Sequence, residues 1–219
     1  MTFLVLLSLG TWQIERLQWK EKLLLQINEN LNAEPLRLSA IDKNSIDLNY
    51  KKVIAEGIFV EELAIELEPR TNKGKAGVHI LTPFYSNKKY ILVNIGFVPY
   101  EYVSYFNQDY KSKKEKHLVA IQGIARLYGK KKWPIPDNDL KTGNFFFPDT
   151  EEISKYLNLE LEPYIIELIK KRPNRDYPLS NVTIIDIPNN HLQYAITWFG
   201  LAMLLSILII FLSYKSYRI

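Results

Sequence analysis

Three histidines, at positions 79, 117 and 191, are the side chains of this 219-residue sequence best suited to hold a metal or move a proton, because cysteine is absent. Without thiols there is no disulfide framework, thiolate zinc site, iron–sulfur cluster or cysteine nucleophile. The histidines show no H-x-x-x-H or H-E-x-x-H spacing, so metal-assisted hydrolysis has no motif here. No G-x-S-x-G accompanies them, so acyl transfer through a serine has none either. The stretch Asn72-Lys73-Gly74-Lys75-Ala76-Gly77 has the glycines and lysines of a phosphate loop without the G-x-x-x-x-G-K-[ST] spacing. It joins two strand-like runs rather than opening a helix, and it reads as a hairpin tip. The sequence therefore points away from an enzyme.

His191 is set apart by where it lies. It immediately precedes an uncharged run, and helical spacing puts Tyr194, Ala195 and Trp198 at i+3, i+4 and i+7 on its face, with Ala202 further along. An ionisable group at the end of an apolar helix is a functional candidate, and imidazole is a common ligand of haem iron. The competing reading is a polar helix cap that hydrogen-bonds Asn189 or water. On the first segment Trp12, Arg16 and Trp19 fall at i, i+4 and i+7, the spacing of an aromatic and cationic interfacial belt.

These positions depend on two apolar ends. Leu192 to Tyr214 has no formal charge over 23 residues, about 34 Å of helix against a hydrocarbon core of about 30 Å. Tyr194 and Trp198 mark one end, Tyr214 and Tyr217 the other. Met1 to Ile14 is also uncharged but makes only about 21 Å of helix. It continues through Glu15, Arg16 and Lys20 without proline or glycine, which predicts one helix leaving the membrane near Trp12 to Trp19. The expected organisation is an N-terminal transmembrane helix at 1–15, an extramembrane β-rich domain at 16–190 whose first helix reaches about residue 31, and a C-terminal transmembrane helix at 192–214. Lys215 and Arg218 after the last span favour a cytoplasmic C-terminus. Both termini are then cytoplasmic and the main domain periplasmic. With no Arg- and Ser-rich presequence, a bacterial inner membrane is the expected location.

Between the ends, Val53–Val60, Leu63–Leu67, Gly77–Tyr85, Tyr90–Val98, Leu118–Tyr128, Leu161–Lys170 and Val182–Ile187 read as strands, with a hairpin at Ser86–Lys89. Helix is expected after Ser39, where Ser39 and Asp42 resemble a capping box, and from Thr150 to Leu157. Many short strands, with Gly57, Gly96 and Gly123 inside the patterns, predict an antiparallel, barrel-like sheet. The formal net charge of +4 comes with acids spread among lysine-rich runs at 111–116 and 130–132, which read as solvated loops rather than a nucleic-acid surface. The second run adjoins Trp133 and suits a lipid surface.

Taken together, these segments resemble the Surfeit locus protein 1 family of cytochrome c oxidase assembly factors. The likeness rests on Leu9-Gly10-Thr11-Trp12-Gln13-Ile14-Glu15-Arg16-Leu17 leading into Trp19-Lys20, and on Glu68-Pro69-Arg70, Gly74, Gly77-Val78 and Leu81-Thr82-Pro83-Phe84. It continues with Ile91-Leu92-Val93-Asn94 and Gly96-Phe97-Val98-Pro99, and ends with Asn189-Asn190-His191-Leu192-Gln193-Tyr194-Ala195-Ile196-Thr197-Trp198-Phe199. Ile95 stands where the family usually has arginine, and 134–147 matches loosely. The resemblance implies two membrane helices flanking an outer domain and a non-enzymatic role in maturing the oxidase core subunit, together with the machinery that makes haem a. It also implies that haem a is bound with His191 as ligand; Trp12, Tyr194 and Trp198 are then expected to pack on the macrocycle. Arg16, Lys20 or Arg70 would pair the propionates. The alternative is a membrane scaffold that holds the core subunit and never touches haem.

Overall fold

The computed structural model describes residues 1–40, 47–112, 117–169, 177–180 and 189–217. The chain divides into two compact units, one of Met1–Glu29 with Ile185–Ile219 and the other of Asn30–Ile184.

The larger unit is a β domain. Its strands are β1 (Leu36–Arg37), β2 (Lys52–Phe59), β3 (Ile65–Asn72), β4 (Lys75–Ser86), β5 (Lys89–Pro99), β6 (Val119–Arg126) and β7 (Leu161–Leu168). The sheet runs β1-β2-β6-β7-β5-β4-β3, and β2 also pairs with β4 through Ile58↔Tyr85 and Phe59↔Phe84. Strands β2, β6, β7, β5 and β4 therefore form a closed ring, with β1 and β3 added outside it. The barrel is as expected from the strand pattern, but the pairing is mixed. β5 and β7 run parallel, as do β1 and β2, because the long connection between β5 and β7 returns the chain to the same end.

Burial explains the sequence patterns. β2 alternates buried and partly exposed positions, as a strand with one wet face does. β4, β5 and β7 are buried on both faces: Ile80, Val93 and Ile166 belong to one cluster, whereas Leu81, Leu92 and Ile165 belong to a second with Phe145 and Ile153. That second cluster requires helix α3 (Thr150–Leu157), whose start is capped by Asp149 accepting from the Glu151 and Glu152 N–H groups. Helix α2 (Tyr100–Ser112) lies where no helix was expected; its Phe106 and Tyr110 are buried in the first cluster. The Ser86–Lys89 hairpin forms as expected, and so does the tip at Asn72–Lys75, with Lys73 and Gly74 at positive φ. The strand expected at Val182–Ile187 and the Asp42 half of the capping box lie outside the described residues.

The smaller unit contains α1 (Thr2–Asn32), one continuous helix as expected, and α4 (His191–Tyr217). Among the described residues one helix, His191–Lys215, is long and apolar enough to cross a membrane. α1 does not meet that measure, because its apolar stretch gives way to charge at Glu15.

Candidate functional site

On α1 the buried positions include Gly10 and Gln13, and on α4 Ala195 and Ala202. A Cβ at Gly10 would sit 2.6 Å from the Phe199 ring, so glycine there permits the close approach of the two helices. Small residues at the crossing bring a polar pair together: His191 Nδ1 lies 2.6 Å from Gln13 Oε1. Gln13 is 8% exposed. An amide oxygen only accepts, so Nδ1 of His191 donates, and in the neutral ring this leaves the lone pair on Nε2. In histidine metal sites a hydrogen bond of this kind at one ring nitrogen fixes the ring orientation and aims the other nitrogen at the metal. The cap reading of His191 named Asn189 as partner; instead Gln13 takes the hydrogen bond. Asn189 Oδ1, two residues away, is buried with no hydrogen-bond partner among the described residues, which marks a place where a donor is missing.

The other expected site residues divide into two groups. Arg16 lies over both Trp12 and Trp19, its guanidinium carbon 5.7 and 5.6 Å from the ring centroids. Cation–π contacts of this kind contribute about 0.5–1 kcal/mol each at exposed sites and leave the N–H edges of the guanidinium available to an anion. Tyr194 is exposed and Trp198 half-buried, one and two turns along α4 from His191. Arg70 is committed to its own domain: its guanidinium donates to the carbonyls of Pro69 and Phe146.

A second polar cluster, not anticipated from sequence, lies in the β domain. Asn94 Nδ2 donates to His79 Nδ1 at 2.8 Å and to Glu167 Oε2 at 2.7 Å, while Asn94 Oδ1 accepts from Gly96 N at 3.1 Å. Glu167 Oε1 accepts from the Tyr128 hydroxyl at 2.6 Å. All three Asn94 contacts agree on which way the amide points, so His79 Nδ1 is an acceptor and its proton is on Nε2. Protonating Nδ1 would set two donors against each other. Burial, and secondly the charge of Arg70, hold the His79 pKa down to about 4. Burial and the adjacent Glu167 carboxylate raise that of Tyr128. The cluster owes its shape to a bulge: Ile80 pairs with Gly96 and Leu81 with Asn94, leaving Ile95 as the extra residue. Gly96 has φ +131, and a Cβ there would collide with the Leu179 carbonyl. Ile95 itself is fully buried in the first core cluster. The signal for this network was Glu167, an acid inside the apolar strand Leu161–Leu168.

Comparison with known proteins gives one consistent result. A family model described as the SURF1 family matches residues 1–203. A SURF1-like protein of Rickettsia bellii is 35% identical over 220 residues, covering 98% of this chain and 88% of its own length. A SURF1-like protein of Rickettsia felis is 34% identical, covering 98% and 93%. Surfeit locus protein 1 of Gallus gallus is 29% identical over 224 residues, covering 91% of this chain and 69% of its own length.

Proposed function

The chain belongs to the SURF1 family, and from that premise we propose that it is a non-enzymatic assembly factor for cytochrome c oxidase that holds haem a and presents it to the catalytic core subunit. The observation behind the haem reading is the His191–Gln13 pair. A neutral imidazole whose Nδ1–H is held by a buried amide offers Nε2 to a metal, and haem supplies an iron that takes such a ligand. Gln13 fixes the ring orientation and keeps the imidazole in the ligating tautomer. Trp12, Tyr194 and Trp198 supply aromatic surface for a macrocycle, and Arg16 offers guanidinium edges to its propionates. Asn189 Oδ1 is an acceptor awaiting a donor beside the same helix end. α4 anchors the protein in the bacterial inner membrane with Lys215 on the cytoplasmic side; α1 accompanies it, and the β domain faces the periplasm. The haem a synthesis machinery would supply the cargo.

The test is purification from cells that make haem a. The wild-type chain is expected to carry a haem chromophore and His191→Ala to lose it, with both capturing the oxidase core subunit. A colourless wild-type protein that still captures the subunit would instead establish the scaffold reading.

A further inference from the structure

The turn that follows β6 displays an apolar tip for which the fold has no use. Trp133 is 93% exposed, the neighbouring Ile135 is also exposed, and Lys130 and Lys132 are exposed beside them. This is not a slack loop. Ile135 N donates to Lys132 O at 3.1 Å, closing a tight turn with Trp133 and Pro134 at its corner. Lys131 pairs with Asp137. Just beyond, Asn138 Oδ1 accepts from the N–H groups of Phe146 and Phe147, and its Nδ2 donates to Phe147 O and Glu152 Oε2. Phe145, fully buried, fastens the same segment to the second core cluster. The base is fixed and the tip is bare.

An exposed indole that follows a run of lysines, on a pre-ordered turn, suits a surface that is apolar below and negative above. Tryptophan prefers the bilayer interface, where an apolar body and a polar N–H are both accommodated. Lysines beside it are attracted to anionic headgroups. We infer that the turn at 130–136 is a membrane-surface anchor through which the β domain engages anionic phospholipid. The inference rests on the reading of α4 as a membrane span, since a tether through α4 raises the effective concentration of lipid that the turn meets.

The absence of cysteine makes the test clean. Ile135→Cys in the full chain, labelled with an environment-sensitive fluorophore, leaves Trp133 and the lysines in place, and Tyr105→Cys on α2 serves as the comparison. Each is reconstituted into vesicles of brominated phosphatidylcholine, alone or mixed with phosphatidylglycerol. The label at 135 is expected to be quenched by lipid only when phosphatidylglycerol is present, with the label at 105 unquenched and the effect suppressed by salt. Lys130→Gln with Lys132→Gln is expected to lower the immersed-to-aqueous ratio about 30-fold, and Trp133→Ala to lower it further. Flotation of the vesicles reports incorporation through α4 separately, so an incorporated chain whose label at 135 stays aqueous overturns the anchor and leaves the span standing. Quenching equal in phosphatidylcholine alone and unchanged in the lysine variant overturns it too. So does protection that appears only when other membrane proteins are added, which would assign the tip to a protein partner.

Discussion

His79 on β4 accepts at Nδ1 from Asn94, whereas His191 at the start of α4 donates from Nδ1 to Gln13. The two rings therefore use Nδ1 in opposite senses, as an acceptor in one and a donor in the other. In the β domain the partner is a donor and the surroundings are dry, so protonation meets both a desolvation cost and a steric clash of N–H groups. In the helix pair the partner is an acceptor and the ring is only half-buried, so Nε2 is not the nitrogen that the fold uses. The difference teaches that the amide opposite a histidine, more than the histidine's burial, decides whether the ring is a structural wedge or an available ligand.

Three experiments would break or sharpen that contrast. The largest effect is expected from Asn94→Leu, which removes the hydrogen bonds to His79 Nδ1, Glu167 Oε2 and Gly96 N in a site 4% exposed. Unfolding of the full chain in detergent should show a loss of about 4 kcal/mol, with haem uptake per folded molecule unchanged; impaired uptake would tie the two sites together. Next is acid. The folded-state pKa of His79 lies below its ordinary value of 6.5, at about 4. Between those pH values the unfolded chain binds more protons than the folded one, so stability falls as pH drops through the window. The accumulated loss below pH 4 is about 3 kcal/mol, and His79→Phe should flatten that slope in a pH series of thermal melts. The smallest effect is Gln13→Leu, which leaves the His191 ring but frees it to turn. Haem affinity in a spectrophotometric titration should fall about 10–100-fold, less than on removing the imidazole. Equal losses from the two substitutions would mean that Gln13 does more than orient the ring.

Much of the fold was legible. Alternation and β-branched runs located β2 and β4 to β7 to within a few residues, and the helix expected from Thr150 to Leu157 is found there. The miss at α2 has a physical cause: its tyrosines and phenylalanine carry strand propensity, while the helical signal was the i, i+3, i+7 face of Val103, Phe106 and Tyr110. The parallel β5–β7 pair was unreadable because strand direction is set by distant connections, not by composition. Of the site, His191 and the Trp12–Arg16–Trp19 stack were visible from helical spacing. Gln13 was not, because nothing local announces a partner so distant in sequence. His79 was set aside for want of motif spacing, since its partners come from β5 and β7 and no short pattern spans them.

The separation of Gln13 and His191 by 178 residues also has a meaning in time. At roughly 5–20 residues per second of synthesis, α1 leaves the ribosome roughly ten to forty seconds before the helix that completes its polar pair. Every strand of the barrel is made in that interval. A chain cut short between β7 and α4 contains every strand of the barrel and still has no histidine facing Gln13. The polar pair therefore forms only in molecules translated past the whole β domain and into α4.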